Sequence, residues 1–171
     1  MDREKALLIF ALMWQPDYKN HLIEVEKTLE EEFGKKLSET NIFSLPYSKY
    51  YEKEMGKNLV KKFVVLDRLI HKGQLVELKK FSMKLEDTHR VNGNRTVNID
   101  PLYLEEFQVV VATSKYRGSR IYLYDGIYAD LELLYYNGSY QPMVWTYLDY
   151  KNHIPYFNNT RKIFFRKIRN L

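Results

Sequence analysis

The chain alternates between short apolar stretches and the residues that end them. Lys5–Met13 is apolar almost throughout, without a polar face, and reads as a buried strand. His21–Phe33 sets Leu22, Val25, Leu29 and Phe33 on one helical face, and Gly34 stands where a C-terminal cap belongs. Asn41–Leu45 predicts a short strand ended by Pro46, and Lys61–Leu66 predicts another. Gly73–Asp87 carries Leu75, Leu78, Phe81 and Leu85 at helical spacing, and Arg95–Ile99 predicts a short strand after it. The order β-α-β-β-α-β is that of a ferredoxin-like sandwich.

Asp100-Pro101 then reads as a helix start. Asp100 can cap free N–H groups, Pro101 needs no partner at the first position, and Glu105 and Glu106 suit the positive end of the dipole. Leu102–Lys115 is therefore expected to be helical, although Val109-Val110-Val111 suits a strand.

Ser119–Val144 carries two turn signals, Asp125-Gly126 and Asn137-Gly138, between alternating segments. A two-residue turn at Asp125-Gly126 would set Ile121 against Asp130. A three-residue loop, Tyr124-Asp125-Gly126, sets Leu123 against Ile127, Ile121 against Ala129, Tyr122 against Tyr128 and Arg120 against Asp130. The second register matches every pair chemically and is the one expected. At Asn137-Gly138 a two-residue turn brings Tyr135 to Tyr140 and Leu131 to Val144, and Pro142 marks an edge strand. The meander then has one apolar face (Ile121, Leu123, Ile127, Ala129, Leu131, Leu133, Val144) and one polar, aromatic face (Arg120, Tyr122, Tyr128, Asp130, Glu132). The polar face is either a binding platform or a solvated surface of cross-strand pairs.

The last segment, 158–171, predicts a basic helix. Asn159 or Thr160 can cap it, and Phe164, Ile168 and Leu171 form its apolar stripe. The formal charge of the chain is +5, yet residues 151–171 hold six basic side chains and no acidic one, so the body carries −1. The basic character belongs to the tail, and whole-chain charge argues little for nucleic acid. The tail helix either reaches a polyanion or a protein partner, or docks its stripe on the body.

With 171 residues, 45% of them hydrophobic, the chain is expected to form a single α+β domain. It has no cysteine, which excludes disulfides, thiolate catalysis and Cys-based zinc sites. Trp14-Gln15-Pro16-Asp17 follows the first apolar run in place of a small-residue cleavage site, so no signal peptide is expected. No run approaches the ~20 apolar residues of a membrane span, and the expected compartment is the cytoplasm. Gly34-Lys35-Lys36 and Gly56-Lys57-Asn58 lack the upstream glycine and the Ser or Thr of a phosphate loop. His21, His71, His89 and His153 lack the paired spacing of a zinc helix.

Five motifs occur in order: Tyr50-Tyr51-Glu52-Lys53-Glu54-Met55-Gly56, Val97-Asn98-Ile99-Asp100-Pro101, Arg120-Ile121-Tyr122-Leu123, Asp125-Gly126-Ile127-Tyr128-Ala129 and Trp145-Thr146-Tyr147-Leu148-Asp149-Tyr150. Through them, over about residues 5 to 151, the chain resembles the bacterial family known as domain of unknown function 4416. The resemblance implies no established activity, although members often carry a GTP-binding label. The chain departs from the family pattern at Leu102 and Tyr124, which stand in place of glycine, at Ser119 in place of histidine, and at Leu148 in place of proline.

The candidate ligand-binding residues come from these motifs and their neighbours: Tyr51, Glu52, Glu54, Asn98, Asp100, Lys115, Arg120, Tyr122, Asp125, Tyr128, Trp145, Asp149 and Tyr150. Glu52 and Glu54 alternate. In an extended loop both can face one way and hold a divalent cation; in a helical turn they are separate solvated carboxylates. Asp100 is a helix cap first and an acid or ligand second. Lys115 and Arg120 can hold a phosphate or carboxylate together, or pair on the surface with Asp125 or Asp130. Trp145, Tyr147, Asp149 and Tyr150 can stack a base or sugar, or pack the C-terminal segment onto the body. The leading expectation is a small binding module for an anionic ligand, a nucleotide or nucleic acid. The alternatives are a metal-dependent enzyme of phosphoryl or nucleotidyl chemistry, and an assembly protein that docks through its C-terminal helix.

Overall fold

A computed structural model describes residues 2–45 and 47–171; Pro46, expected to end a strand, lies outside the described residues, as does Met1. The protein is an α+β structure. In chain order the elements are β1 (Lys5–Trp14), α1 (Lys19–Phe33), β2 (Lys36–Glu39), β3 (Phe43–Ser44), α2 (Lys49–Met55), β4 (Val60–His71), α3 (Leu75–Thr88), β5 (Val97–Leu104), β6 (Gln108–Thr113), β7 (Ile121–Tyr122), β8 (Tyr128–Tyr136), β9 (Ser139–Pro142), α4 (Leu148–Lys151) and α5 (Ile154–Arg169). The strands form one antiparallel sheet in the order β2-β4-β1-β5-β6-β8-β7, with β3 added to β4 and β9 to β8. Among the described residues no helix is long and apolar enough to cross a membrane.

The first apolar run lacks a polar face because it is the central strand. Leu8, Phe10 and Leu12 pack under α1 and α3, while Leu7, Ile9 and Ala11 pack against α5 on the other side. Helix α1 buries Leu22, Val25 and Leu29 as its spacing predicts, and Gly34 ends it at φ +96°. Gly56 ends α2 in the same way, at φ +90°. Both Gly-Lys pairs thus follow helices, whereas a phosphate loop leads into one.

Several expectations are corrected. Leu102–Lys115 is not a helix but the β5–β6 hairpin, in which Leu102 faces Val111 and Leu104 faces Val109. The three valines bury on alternate sides, Val109 and Val111 toward α5 and Val110 toward α3, which a helix could not achieve. Asp100 is accordingly a mid-strand residue and caps nothing; β6 joins β5 only from Leu102 onward, so Pro101 falls where that edge is open.

The meander keeps the expected register: Ile121 faces Ala129, Tyr122 faces Tyr128, and Leu123 N–H donates to Ile127 O at 2.9 Å. Tyr135 faces Tyr140 around the Asn137-Gly138 turn, where both residues have positive φ. Its single apolar face does not survive. Strand β9 stops at Pro142, Val144 is 95% exposed and never meets Leu131, and Ile121 is exposed as well.

The basic helix begins at Ile154 rather than near Asn159, with Pro155 in its first turn. Thr160 is no cap; it is buried inside the helix and its hydroxyl donates to Tyr156 O at 2.9 Å. Phe157, Phe164 and Ile168 dock on the sheet, while Leu171 stays exposed. The stripe that a partner would need is used inside the fold.

Candidate functional site

The sheet is not closed along its whole length. Below the Leu102–Val111 pair, β6 stays with β8 and leaves β5, so the N-terminal half of β5 has one free edge. Helix α3 fills that gap with polar side chains. Glu86 Oε2 accepts the Ile99 N–H at 3.0 Å, and Lys79 Nζ donates to Ile99 O at 3.3 Å. Lys79 also reaches Asp100 Oδ1 at 2.7 Å. Two buried charges thus replace a missing strand partner and meet the obligation of buried backbone groups to bond.

This splaying opens a cleft of about 590 Å³, which α3 reaches with Lys79, Met83, Glu86 and Asp87. Its floor is formed by β4, β5, β6 and β8. One wall is α2 with the residues just before it, and the opposite wall is Tyr147–Tyr150. Tyr47, Tyr50 and Tyr147 stand exposed at the rim.

The charges of the cleft interlock. Arg95 donates to both oxygens of Glu54 at 2.9 Å and to Glu86 at 3.2 Å and Asn98 Oδ1 at 2.9 Å. These bonds from Arg95 hold the Glu54 carboxyl below the usual range, while burial pushes Glu86 up. Asn98 donates to Asp100 Oδ2 at 2.9 Å. Burial disfavours the Asp100 anion, but Lys79 and Lys61 outweigh it, so its carboxyl lies low. Lys61 pairs with Asp149, and Arg120 donates to Asp130 Oδ2 at 3.1 Å and to the Tyr147 hydroxyl at 2.7 Å.

Lys115 differs from the other five cationic side chains of the cleft. Its Nζ donates to the Tyr51 hydroxyl at 2.6 Å and lies 4.3 Å from the ring centres of both Tyr50 and Tyr51. Among the described residues no carboxylate pairs with it. Burial, with Arg120, Arg95 and Lys79 acting against the pull of Asp100, holds the ammonium below the usual lysine range.

Eight of the thirteen residues expected from sequence line this cleft: Tyr51, Glu54, Asn98, Asp100, Lys115, Arg120, Asp149 and Tyr150. Five do not. Glu52 and Glu54 lie on helix α2, where a spacing of two sets side chains about 200° apart. Glu52 accordingly takes the Ser48 hydroxyl at 2.7 Å, while Glu54 faces Arg95, so the pair does not share a cation. Asp125 pairs with Lys80 on the surface, and Tyr122 and Tyr128 pack edge to face outside the cleft. Trp145 donates to Leu131 O at 2.8 Å and pins the chain that leads to the second wall. Tyr150 is core as much as cleft, stacked on Phe157 at 5.8 Å.

Lys61, Lys79, Glu86, Arg95 and Glu132 escape the motif reading. For α3 a signal exists. Lys79, Ser82 and Glu86 repeat at helical spacing on a buried face, which needs polar partners inside the fold.

A family model described as a domain of unknown function, 4416, matches residues 4–169. No curated protein and no solved structure matches the chain.

Proposed function

We infer, for a chain that belongs to the family of domain of unknown function 4416, that the cleft binds a small anionic ligand, with a nucleotide as the best match. The observation that carries this reading is Lys115, a part-buried cation without a carboxylate partner among the described residues. Its hydroxyl and ring contacts leave the ammonium short of a charge-assisted partner, which a phosphate or carboxylate supplies. Arg120, which also pairs with Asp130, adds a second cation beside it, its guanidinium donating to Lys115 O at 3.3 Å. The exposed rings of Tyr47, Tyr50 and Tyr147 offer stacking faces for a base at the rim.

Size favours a mononucleotide over a polymer, because a bounded cleft of about 590 Å³ matches small-molecule sites. The GTP-binding label of family members does not extend here to a phosphate-loop mechanism, since Gly34 and Gly56 end helices. A metal-dependent enzyme needs several carboxylates with free oxygens, whereas Glu54, Glu86, Asp100, Asp130 and Asp149 are each committed to a cation, and of the cleft carboxylates only Glu132 keeps a buried oxygen free of any partner among the described residues. The order β2-β4-β1-β5, with α1 and α3 on one face, supports a ferredoxin-like reading of that half. One sheet running through both halves supports a single domain.

Calorimetric titration with nucleoside mono- and triphosphates, with chelator present, tests the reading. Binding is expected, and Lys115→Met is expected to weaken it by about ten- to a hundredfold, the value of a charge-assisted bond of ~1.5–3 kcal/mol. Equal binding by the wild type and Lys115→Met, or no binding of any of these anions, overturns it.

A further inference from the structure

Strand β8 carries one more residue than β6 can match. Val109 faces Leu133 and Val110 faces Leu131, which leaves Glu132 without a partner of its own. A bulge of this kind breaks the alternation of faces. Leu131 packs toward α1 and α3, Leu133 packs toward α5, and Glu132 is turned into the cleft lining while fully buried.

The Glu132 carboxyl is held but not neutralised. Its Oε2 accepts the Tyr147 N–H at 3.2 Å, whereas Oε1 is buried and has no hydrogen-bond partner among the described residues. Asp130 on its own strand, Lys61 on β4, and Asp149 and the Tyr150 phenol on α4 face it. Lys61 is committed to Asp149, and Asp130 is committed to Arg120. Burial, then repulsion by Asp130 and Asp149, pushes the carboxyl up to about 8, against the Tyr147 N–H and Lys61.

Resting on the anion-site reading, we propose that Glu132 is an un-ionised acid built into the cleft, whose O–H donates to an uncharged acceptor oxygen of the bound ligand. The ligand class narrows accordingly. It is an anion that also carries a carbonyl or ether oxygen, as a nucleoside monophosphate does. The charge is taken at Lys115 and Arg120, and the neutral oxygen at Glu132. A carboxylate could only accept, so this contact exists only while the proton stays on. Without a ligand the O–H is a buried donor left unmatched, a costly arrangement that a structural role alone does not call for.

Two measurements test this. Infrared difference spectra of wild type against Glu132→Gln, without ligand at neutral pH, are expected to show a protonated-carboxyl carbonyl stretch only in the wild type. Its absence overturns the proposal and leaves the anion site standing. Calorimetry with a nucleoside monophosphate should then show wild-type affinity falling by up to about tenfold per pH unit above about pH 8. Glu132→Gln keeps a donor and should hold its neutral-pH affinity within a few-fold while losing that pH dependence; Glu132→Leu should bind weakly at every pH. A Gln variant with the wild-type pH profile shows the donor to be elsewhere and overturns the proposal. If the stretch is present and no nucleoside monophosphate binds, the anion-site reading falls, and the donor role falls with it.

Discussion

Among the Lys, Arg, Asp and Glu side chains that line the cleft, Lys115 and Glu132 are the two without an oppositely charged hydrogen-bond partner among the described residues. Every other charge there is spent on a neighbour, as Lys79 is on Asp100 and Arg95 on Glu54 and Glu86. Removing one member of such a buried pair costs stability, so these residues report on folding before they report on function. Glu132 makes a separate statement about pH. Its folded pKa of about 8 lies above the ordinary value of 4.5, so the folded state keeps a proton that the unfolded chain releases. The associated stability is complete below the unfolded value and is lost as pH rises through the folded one, at about 1.4 kcal/mol per unit in between. Glu132→Gln has no proton to lose. Its melting temperature should therefore rise relative to wild type between about pH 5 and about pH 8, as followed by thermal melts. A gap that stays constant with pH would show that Glu132 ionises normally.

At the scale of elements, what the sequence reveals depends on whether a pattern has one meaning. Helices α1 and α3 are legible because Leu22, Val25 and Leu29, and Leu75 and Leu78, repeat at a spacing that no strand shares. The Tyr124–Gly126 loop is legible because only one register pairs like with like. Asp100-Pro101 misleads, since its cap signal is local while the valines after it answer to packing on two faces of a sheet. The bulge at Glu132 leaves no mark in the sequence, because it arises from how two strands meet. Helix α5 is legible as an amphipathic element, but its docking is not, because a buried stripe and a free one look alike in sequence. Phe157 is fully buried and packs against Phe63, Tyr150 and Tyr156. Phe157→Ala should destabilise the protein by about 3–5 kcal/mol, read from the denaturation midpoint. A loss below about 1 kcal/mol would mean that the helix is not part of the core.

At the scale of the whole molecule, the cleft draws on segments far apart in sequence. Tyr51 from α2, Arg95 and Asp100 around β5, Lys115 and Arg120 between β6 and β7, and Asp149 from α4 meet because the sheet opens between β5 and β6. Eight of the expected residues converge there because motifs mark positions well, whereas their partners on α3 lie on a helix read for its apolar face. The basic tail that dominates the net charge packs along the sheet; Lys167 pairs with Asp67, and Arg161 lies over Tyr135 and Phe165. The structure therefore favours a nearly balanced cleft, with one cation unpaired among the described residues, over a charged arm. The most direct test is a crystal structure of the protein grown with a nucleoside monophosphate. The account predicts the phosphate bonded to Lys115 Nζ, with Arg120 beside it and a neutral ligand oxygen at Glu132 Oε1. A nucleotide bound elsewhere on the molecule, with Lys115 still engaged only by Tyr50 and Tyr51, would contradict it.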